Sequence, residues 1–291
     1  MEIGGTSVKF GFAQGREPLN FTRVVPTADI QRVDPVGALA SNLLRATEGA
    51  GIEPAQVVVT VPGFIDRDFD HVLSAANVPE LNGIALASEL QARIGIPVKL
   101  ERDVVLQLLG ESFAGAVRDE THVLAVYFGT GIGAAYLGED TICRGGGWAL
   151  EIGHMPMHGL GRTLPGIGCD QAEVYASGRT LAAIAANHDV DVARVFTARK
   201  RNRGLSRELH AFVRDQAFVI ASGIALLSPR IVLLGGGIVQ MADYPREELR
   251  AVVGDHFPLP PAISPLDLRW AQLGWEAAIW GALSQPARSV H

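Results

Sequence analysis

The sequence has few cysteines, no extended basic run and no long apolar run, and each scarcity excludes a class of protein. Cys143 and Cys169 are the only thiols among 291 residues, which leaves no disulfide framework and is typical of a reducing compartment. The densest basic cluster, Ala198–Gly204 (ARKRNRG), is too short to follow a phosphate backbone, and the formal net charge is −6. Apolar runs such as Ile231–Leu234 stop well short of the ~20 residues that cross a membrane. We therefore expect a cytoplasmic protein that binds neither nucleic acid nor a membrane.

Apolar residues make up 48% of the chain, and strand-like and helix-like stretches alternate along it. A chain of this length buries roughly three quarters of its unfolded surface and divides into two compact lobes. Interleaved strands and helices predict α/β layers. The strands are expected at residues 7–12, 20–25, 56–61, 98–100, 122–128, 133–137 and 230–234, and helices at 34–48, 84–94, 104–113 and 276–283. The stretch 172–227 is expected to be almost wholly helical and to close with a helix at 208–227.

Three glycine-rich turns each follow an apolar, strand-like run: Ile3–Thr6 (IGGT), Phe128–Gly133 (FGTGIG) and Leu234–Gly237 (LGGG). Backbone N–H groups in such turns can converge on an anion, because glycine has no Cβ and reaches positive φ without strain. A single turn of this kind is most simply a tight hairpin. Three of them, two with the hydroxyls of Thr6 and Thr130, favour a site for a triphosphate.

Two other nucleotide-binding motifs do not fit the sequence. Gly129–Ala134 (GTGIGA) formally matches the dinucleotide fingerprint G-x-G-x-x-A, with Glu151 at roughly the expected distance. That fingerprint must open a helix, whereas Ala134–Asp140 (AAYLGED) is a short β-prone run that ends in a turn. The P-loop pattern G-x-x-x-x-G-K-[ST] does not occur. Phosphate would therefore be held by backbone amides and hydroxyl groups.

Asp103 follows a strand-like run and begins a helical pattern in Leu100–Gln107 (LERDVVLQ). One interpretation is an ordinary helix N-cap. The other is a catalytic base, because phosphoryl transfer needs positioned substrates, charge neutralisation by Mg²⁺ and a carboxylate that accepts the proton of the attacking hydroxyl. The local sequence leaves both interpretations open.

Three further polar residues are candidates for contacts with a sugar or a metal. Glu151 and His154, in the run EIGH, can accept from and donate to vicinal sugar hydroxyls, and His154 can bind a metal; a solvated loop pair is the alternative. Asn77 is either a turn residue ahead of Pro79 or a sugar contact. A closed zinc site needs four ligands at tight spacing, so the scattered set His154, His158 and Cys169 predicts no metal site.

These motifs together resemble the ROK (repressor, open reading frame, kinase) family of the actin-like/hexokinase ATPase superfamily, along essentially the whole chain. Further parts of the likeness are Val61–Asp66 (VPGFID), Asn77–Pro79 (NVP), Gly110-Glu111 and Glu173 ahead of Tyr175–Gly178 (YASG). The resemblance implies a two-lobed actin-like ATPase (ribonuclease H-like) α/β fold with a cleft between the lobes. It places a small N-terminal lobe at residues 1–104 plus 275–291 and a large lobe at residues 105–274.

The resemblance also implies an enzyme: a sugar kinase that uses ATP and Mg²⁺, phosphorylates a hexose hydroxyl, foremost O6, and forms a homodimer. Asp103 would be the base. The implied sugar contacts are Asn77, Arg102, Asp103, Glu151, His154 and Glu173. The implied nucleotide contacts are Gly4, Gly5, Thr6, Lys9, Thr130, Gly131, Gly235 and Gly236.

Within the family, the likeness is greatest to the D-allose kinase branch. It rests on Arg102–Val104 (RDV) in place of Asn-Asp-Ala and on Gly237–Met241 (GIVQM). Glucokinases, fructokinases and N-acetylmannosamine kinases share the same framework. A non-catalytic sugar-binding regulator is the alternative from another class. The repressors of the family carry an N-terminal DNA-binding helix-turn-helix, which we do not expect ahead of the turn at Ile3–Thr6.

Four departures from the family pattern carry expectations of their own. The first strand is expected to be absent, with Glu2 where an aspartate normally stands. The zinc segment C-x-C-G-x-x-G-C is reduced to Thr163–Cys169 (TLPGIGC), so no structural zinc is expected. Arg102, whose guanidinium only donates, replaces an asparagine and should alter epimer preference. Leu150 replaces the glycine before the glutamate and is expected to crowd that loop.

Overall fold

The chain divides into two compact units in a computed structural model, which describes residues 1–75, 77–257, 260 and 266–285. The first unit contains Met1–Arg118, Cys143–Ala149 and the described residues from Trp275 onward. The second contains Asp119–Ile142 and Leu150–Gly274. This division differs from the predicted boundary between residues 104 and 105, because the helix that begins at Asp103 packs against the C-terminal helix and stays with the first unit.

The first unit is built on a five-stranded mixed sheet. Its strands are β1 (Glu2–Ile3), β2 (Ser7–Gln14), β3 (Glu17–Pro26), β4 (Val57–Thr60) and β7 (Val98–Glu101), and a separate hairpin is formed by β5 (Phe64–Ile65) and β6 (Val72–Ser74). The order across the sheet is β3-β2-β1-β4-β7, in which β4 pairs in parallel with both β1 and β7. All four residues of β4 are buried, as expected for a parallel strand covered on both faces.

Strand β1 corrects the expectation that the first strand is absent. Glu2 is paired with Lys9 of β2 and with Thr60 of β4, so the two residues of β1 lie in the middle of the sheet. The amino group of Met1 donates to the carbonyl of Val58 at 2.8 Å. Backbone groups at the centre of a sheet must find partners, which is why even this short segment is held as a strand.

Four helices complete the first unit: α1 (Pro35–Ala50), α2 (Leu86–Ile94), α3 (Asp103–Ala114) and α9 (Ala277–Leu283). Helix α1 begins where its sequence signals place it, since Asp34 accepts a hydrogen bond from the Gly37 amide at 2.9 Å and Pro35 is the first helical residue. It ends at Gly51, which has φ of 65°. The predicted helices of this unit are therefore confirmed to within two residues at each end.

Helices α3 and α9 cross at very close range because each has a glycine at the contact. A Cβ on Gly110 would lie 1.9 Å from the carbonyl oxygen of Ala277, and one on Gly281 would lie 2.0 Å from that of Leu106. Neither position has room for a side chain without separating the helices. This contact fixes the start of α3, and with it Asp103, on the first unit.

The second unit has a four-stranded sheet of order β11-β10-β8-β9. Its strands are β8 (Val123–Phe128), β9 (Ile132–Leu137), β10 (Ile231–Gly235) and β11 (Asp267–Trp270). Its helices are α4 (Ala172–Ala176), α5 (Gly178–Asn187), α6 (Val195–Ala198), α7 (Arg203–Leu227) and α8 (Arg246–His256). The predicted strands of this unit are present, whereas α8 and β11 had not been predicted. Every residue of β8 and β10 is buried.

Helix α7 is the longest helix among the described residues, and it starts five residues before its predicted beginning at Glu208. The Asn202 side chain explains the earlier start, because it accepts a hydrogen bond from the Leu205 amide at 3.1 Å. By length and composition α7 could cross a membrane. However, 61% of its most apolar stretch is buried inside the unit, as in the core helix of a globular domain.

Candidate functional site

Two of the three glycine turns lie side by side in the second unit. Strands β8 and β10 are parallel neighbours, with Gly235 opposite Tyr127, so the turns that follow them emerge at the same edge of the sheet. The Ile238 amide, just after the third turn, donates to the carbonyl of Phe128, just before the second, at 3.1 Å. Helix α5 starts at the same place, where the Gly178 amide donates to the carbonyl of Gly129 at 2.8 Å.

This edge has the donors and the space that a phosphate chain needs. The amides of Thr130 and Gly131 donate to no other residue in the described part of the chain, and the Thr130 side chain is exposed. A Cβ placed on Gly129 or Gly237 would meet nothing within 4 Å. Turn amides and a helix N-terminus carry partial positive charge. The residues present therefore fit an anionic phosphate group.

Gly236 and Gly131 are glycines for reasons that the structure makes explicit. Gly236 has φ of 91°, and a Cβ there would lie 2.4 Å from the carbonyl oxygen of Phe128. A Cβ on Gly131 would lie 2.4 Å from a carboxylate oxygen of Glu173. The first obstacle is backbone and cannot move, whereas the second is a side chain. The turn geometry is thus set most firmly at Gly236.

Glu173 joins the second glycine turn to the predicted sugar-binding residues of the second unit. Its carboxylate accepts a hydrogen bond from the Ile132 amide at 2.7 Å, directly after the turn. A Cβ on Gly153 would lie 2.8 Å from Glu173, so the segment that contains Glu151 and His154 runs close beside it. His154 Nε2 lies 3.9 Å from a carboxylate oxygen of Glu151. Three predicted sugar contacts, Glu151, His154 and Glu173, are thereby brought to the edge of the phosphate turn.

The loop that follows is organised by side-chain amides and carboxylates. His154 Nδ1 is hydrogen-bonded to the side-chain oxygen of Gln171 at 3.1 Å, and that oxygen also accepts from the Gly168 amide at 3.1 Å. Asp170 accepts from the amides of Gly161 and Arg162, at 2.7 and 2.9 Å. Within the described ranges, no group of three or more His, Cys, Asp and Glu side chains is arranged to hold a metal ion.

In the first unit, the first glycine turn lies against Asn77. The Gly4 amide donates to the carbonyl of Ser7 at 2.9 Å, and the Thr27 hydroxyl donates to the carbonyl of Gly4 at 2.7 Å. A Cβ on Gly5 would lie 3.1 Å from the side chain of Asn77. Gly5 and Thr6 are both exposed. This turn and the predicted sugar contact Asn77 therefore form one exposed surface.

Asp103 is the first residue of α3 and not its N-cap, which corrects the simpler of the two interpretations of the sequence. Arg102 occupies the cap position, with extended backbone at φ −76° and ψ 139° and no side-chain cap. One oxygen of Asp103 accepts from the adjacent Val104 amide, at 2.8 Å. Burial raises the pKa of Asp103, and the Val104 amide and the Arg102 charge offset this only in part. A carboxylate with a raised pKa is a better proton acceptor.

Arg102 and Lys9 lie in places that the sequence did not indicate. The Arg102 guanidinium is buried and donates to the carbonyl of Ala149 at 2.5 Å. Lys9 borders a cavity of about 540 Å³ together with Glu2 and Thr60. A direct contact from Arg102 to sugar, or from Lys9 to nucleotide, therefore stays a prediction.

Sequence reasoning did not identify Glu101, which is fully buried beside Arg102 and binds Arg144. The signal was present, because a glutamate at the end of an otherwise apolar strand must find a partner when it is buried. It also did not single out Asp170 and Gln171, whose roles depend on how the surrounding loop folds back on itself.

Comparison with known proteins places this geometry in a family. A profile of the ROK family matches residues 1–286. The chain is 26% identical to the glucokinase of Thermotoga maritima over 98% of its own length and 95% of the relative's. It is 28% identical to the N-acetyl-D-glucosamine kinase of Vibrio parahaemolyticus, over 81% of this chain and 83% of that protein.

Solved structures agree with these relatives. The ROK hexokinase from Thermus thermophilus superposes with a TM-score of 0.80 at 26% identity, covering 97% of this chain and 95% of the other. The ROK family glucokinase from Streptomyces griseus, in complex with glucose and AMPPNP, superposes with a TM-score of 0.80 at 23% identity, covering 97% and 96%. These matches confirm the predicted actin-like α/β fold class and support the prediction of a phosphotransferase. The chain belongs to the ROK family.

Proposed function

We propose that this chain is a sugar kinase that transfers the γ-phosphoryl group of ATP to a hydroxyl of a hexose or N-acetylhexosamine, with Asp103 as the base. The observation that carries the proposal is the pairing of two glycine turns with the start of helix α5, where exposed amides and the Thr130 hydroxyl suit a phosphate chain. The relatives named as glucokinase and N-acetyl-D-glucosamine kinase support the choice of acceptor.

The step would proceed by direct displacement at phosphorus. The sugar hydroxyl oxygen bonds to the γ-phosphorus, the bond from that phosphorus to the β,γ-bridging oxygen breaks, and ADP leaves. The hydroxyl proton passes to the Asp103 carboxylate, whose raised pKa favours its acceptance. The proposed base Asp103 belongs to the first unit, and the proposed phosphate-binding turns after β8 and β10 belong to the second.

Mg²⁺ is proposed as the cofactor, held mainly by the phosphate oxygens of ATP and by water, as this ion prefers. It would neutralise the charge that develops on the β- and γ-phosphates. The amides of Thr130 and Gly131 and the Thr130 hydroxyl would orient the same oxygens. Gly235 and Gly236 would line the nucleoside side of the turn, next to Gly129.

The proposed sugar contacts are Asn77, Glu151, His154 and Glu173. Carboxylates accept from sugar hydroxyls, while amide and imidazole groups can donate as well. D-allose is our first candidate because of the RDV and GIVQM sequences, and glucose and N-acetylglucosamine are the alternatives that the relatives suggest. A homodimer in the cytoplasm is proposed on the family likeness alone, and light scattering on the purified chain would test its mass.

The deciding experiment is ADP release across a panel of sugars, with Mg²⁺ and ATP. D-allose, D-glucose, D-fructose, N-acetylglucosamine and N-acetylmannosamine would be compared at equal concentration. We expect ADP and a 6-phosphorylated sugar in equal amounts for at least one of them, identified by phosphorus NMR. ADP release that does not depend on sugar would contradict the proposal. Sugar binding in calorimetry without any ADP release would favour a non-catalytic sugar-binding protein.

A further inference from the structure

A buried carboxylate lies immediately before the proposed base. Glu101, the last residue of β7, has no solvent exposure, and its two oxygens accept from four donors. Oε1 accepts from the Arg102 amide at 3.0 Å and from Arg144 Nη1 at 2.7 Å. Oε2 accepts from Arg144 Nη2 at 2.7 Å and from the Gln285 side chain at 3.3 Å. A buried carboxylate with this many donors has a single well-defined position.

The partner Arg144 belongs to a segment with an unusual path. Cys143–Ala149 follows Ile142 and precedes Leu150, which are both in the second unit, yet it packs with the first unit. The Arg144 guanidinium stacks over Phe69 at 4.7 Å, and Trp148 makes an edge-to-face contact with Phe64 at 6.2 Å. The ion pair with Glu101 is therefore the most directional of several contacts that hold this segment.

A second bond ties the same two stretches of chain together. The buried Arg102 guanidinium donates to the carbonyl of Ala149, at the far end of the segment. Arg102 precedes the proposed base Asp103, and Ala149 lies two residues before the proposed sugar contact Glu151. One hydrogen-bonded network, which we call the clamp, is formed by Glu101, Arg102, Arg144 and Ala149.

We propose that Glu101 is a positioning residue of the phosphotransfer site: through the clamp it sets both the backbone that presents Asp103 and the segment that leads into Glu151. This inference rests on the proposed function. Both guanidinium nitrogens of Arg144 that face Glu101 are used in the pair, so the role of Arg144 is to hold the segment and not to bind substrate. Displacements of about 1 Å at a reacting group can cost on the order of a hundredfold in rate. We therefore expect loss of the clamp to lower the rate of phosphoryl transfer.

Steady-state kinetics on Glu101→Gln, Arg144→Lys and Arg144→Met test the proposal. We expect kcat/KM for the sugar to fall about tenfold or more in Glu101→Gln and Arg144→Met, with KM for ATP changed by less than about twofold. Arg144→Lys keeps the charge but loses the paired geometry, so it should retain more activity than Arg144→Met. Arg269→Met is the matched control, since it breaks a partly buried pair with Glu120 in the second unit and should lower the melting temperature without changing either constant.

Trp148 reports on the segment without reference to activity. Fluorescence quenching by acrylamide, taken as the difference between each variant and its Trp148→Phe counterpart, should increase in Arg144→Met and remain unchanged in Arg269→Met. Calorimetric sugar affinity should weaken in Glu101→Gln by the same order as kcat/KM. Folded Glu101→Gln and Arg144→Met variants with the sugar affinity and kinetic constants of the unaltered chain would overturn the proposal. An unaltered chain that binds sugar but never turns over would refute the proposed function instead. The sugar affinities of the variants would then still test whether the clamp positions the site.

Discussion

The start of helix α3 in the first unit and the loop around Asp170 in the second use an aspartate in opposite ways. Asp103 is half-buried and its donors are backbone amides at the start of its own helix, and burial raises its pKa. Asp170 accepts from the hydroxyl of Tyr175 and from two loop amides, and these hydrogen bonds hold its pKa at about 2. The number of donors around a carboxylate thus separates a candidate base from a structural anchor.

The glycine turns of the two units also differ, in the atoms that a side chain at each glycine would meet. In the first unit, the atoms nearest to a Cβ on Gly5 would belong to the Asn77 side chain, the first at 3.1 Å. In the second, a Cβ on Gly236 would meet backbone at 2.4 Å. A side chain can move aside at modest cost, whereas backbone in the middle of a sheet cannot. The turn at Gly236 is therefore held more rigidly than the turn at Gly5.

The largest expected effect is that of Asp103→Asn. Removing the proton acceptor should lower kcat by about 10²–10⁴. The raised pKa of Asp103 means that its ionised form destabilises the folded state at pH values above the ordinary pKa of an aspartate. The uncharged Asn side chain removes this cost, so the free energy of unfolding at pH 7 should be equal or higher. Chemical denaturation and the ADP assay measure the two quantities. Asp170→Asn is the contrasting control, because it should affect the free energy of unfolding more than it affects kcat. Full turnover by Asp103→Asn would remove Asp103 from the mechanism.

Gly236→Ala tests the rigidity of the second unit. Strained backbone at φ of 91° and a contact with the Phe128 carbonyl should together cost about 2–4 kcal/mol of unfolding free energy. Gly237→Ala is the matched control, because a Cβ there meets nothing within 4 Å and Gly237 is not among the glycines with positive φ. Equal midpoints for the two variants in denaturant titrations would show that the turn is not held as described.

The free energy of unfolding at acid pH provides a further test of the contrast between the two aspartates. A carboxylate whose folded pKa is lowered contributes stability above its unfolded value near 3.8, and that contribution is lost as the pH falls towards about 2. Tyr175→Phe removes the first donor to Asp170, so its unfolding free energy should depend less on pH between about 4 and 2. Denaturant titrations at several pH values would measure this slope. An unchanged slope would mean that the loop amides alone set the pKa of Asp170.

The smallest effect is expected at Leu150, which lies between Asp103 and Asp170 in the sequence. Leu150 has φ of 64°, a left-handed conformation that favours glycine, so the leucine strains the backbone at this position. Leu150→Ala and Leu150→Gly both lose the side-chain packing, but only glycine relieves the backbone. We expect Leu150→Gly to be the more stable of the two by up to about 1 kcal/mol, the reverse of the usual order. A more stable Leu150→Ala would contradict this account.

Local signals were sufficient for much of the secondary structure. The helical spacing at residues 34–48, the alternation in β2 and the apolar run of β8 each led to the correct element. Where the local signal was short, the prediction failed. The four residues of β11 (DLRW) alternate between polar and apolar but are too few for a firm prediction, and they pair in parallel with β10. Likewise, Asp103 resembled a cap in sequence, while the backbone at Arg102 placed it inside the helix.

The amino-acid sequence by itself determined the α/β class, the three glycine turns and the set of candidate polar residues, because turn chemistry and hydrophobic periodicity act within a few residues of chain. Only the tertiary structure decided that Gly129 and Gly236 share one sheet edge, that Glu173 lies on the second turn, and that Glu101 and Arg144 hold a segment to the first unit. It also decided which aspartate has a raised pKa. Such properties depend on burial and on donors contributed from distant parts of the chain, and no local pattern encodes them.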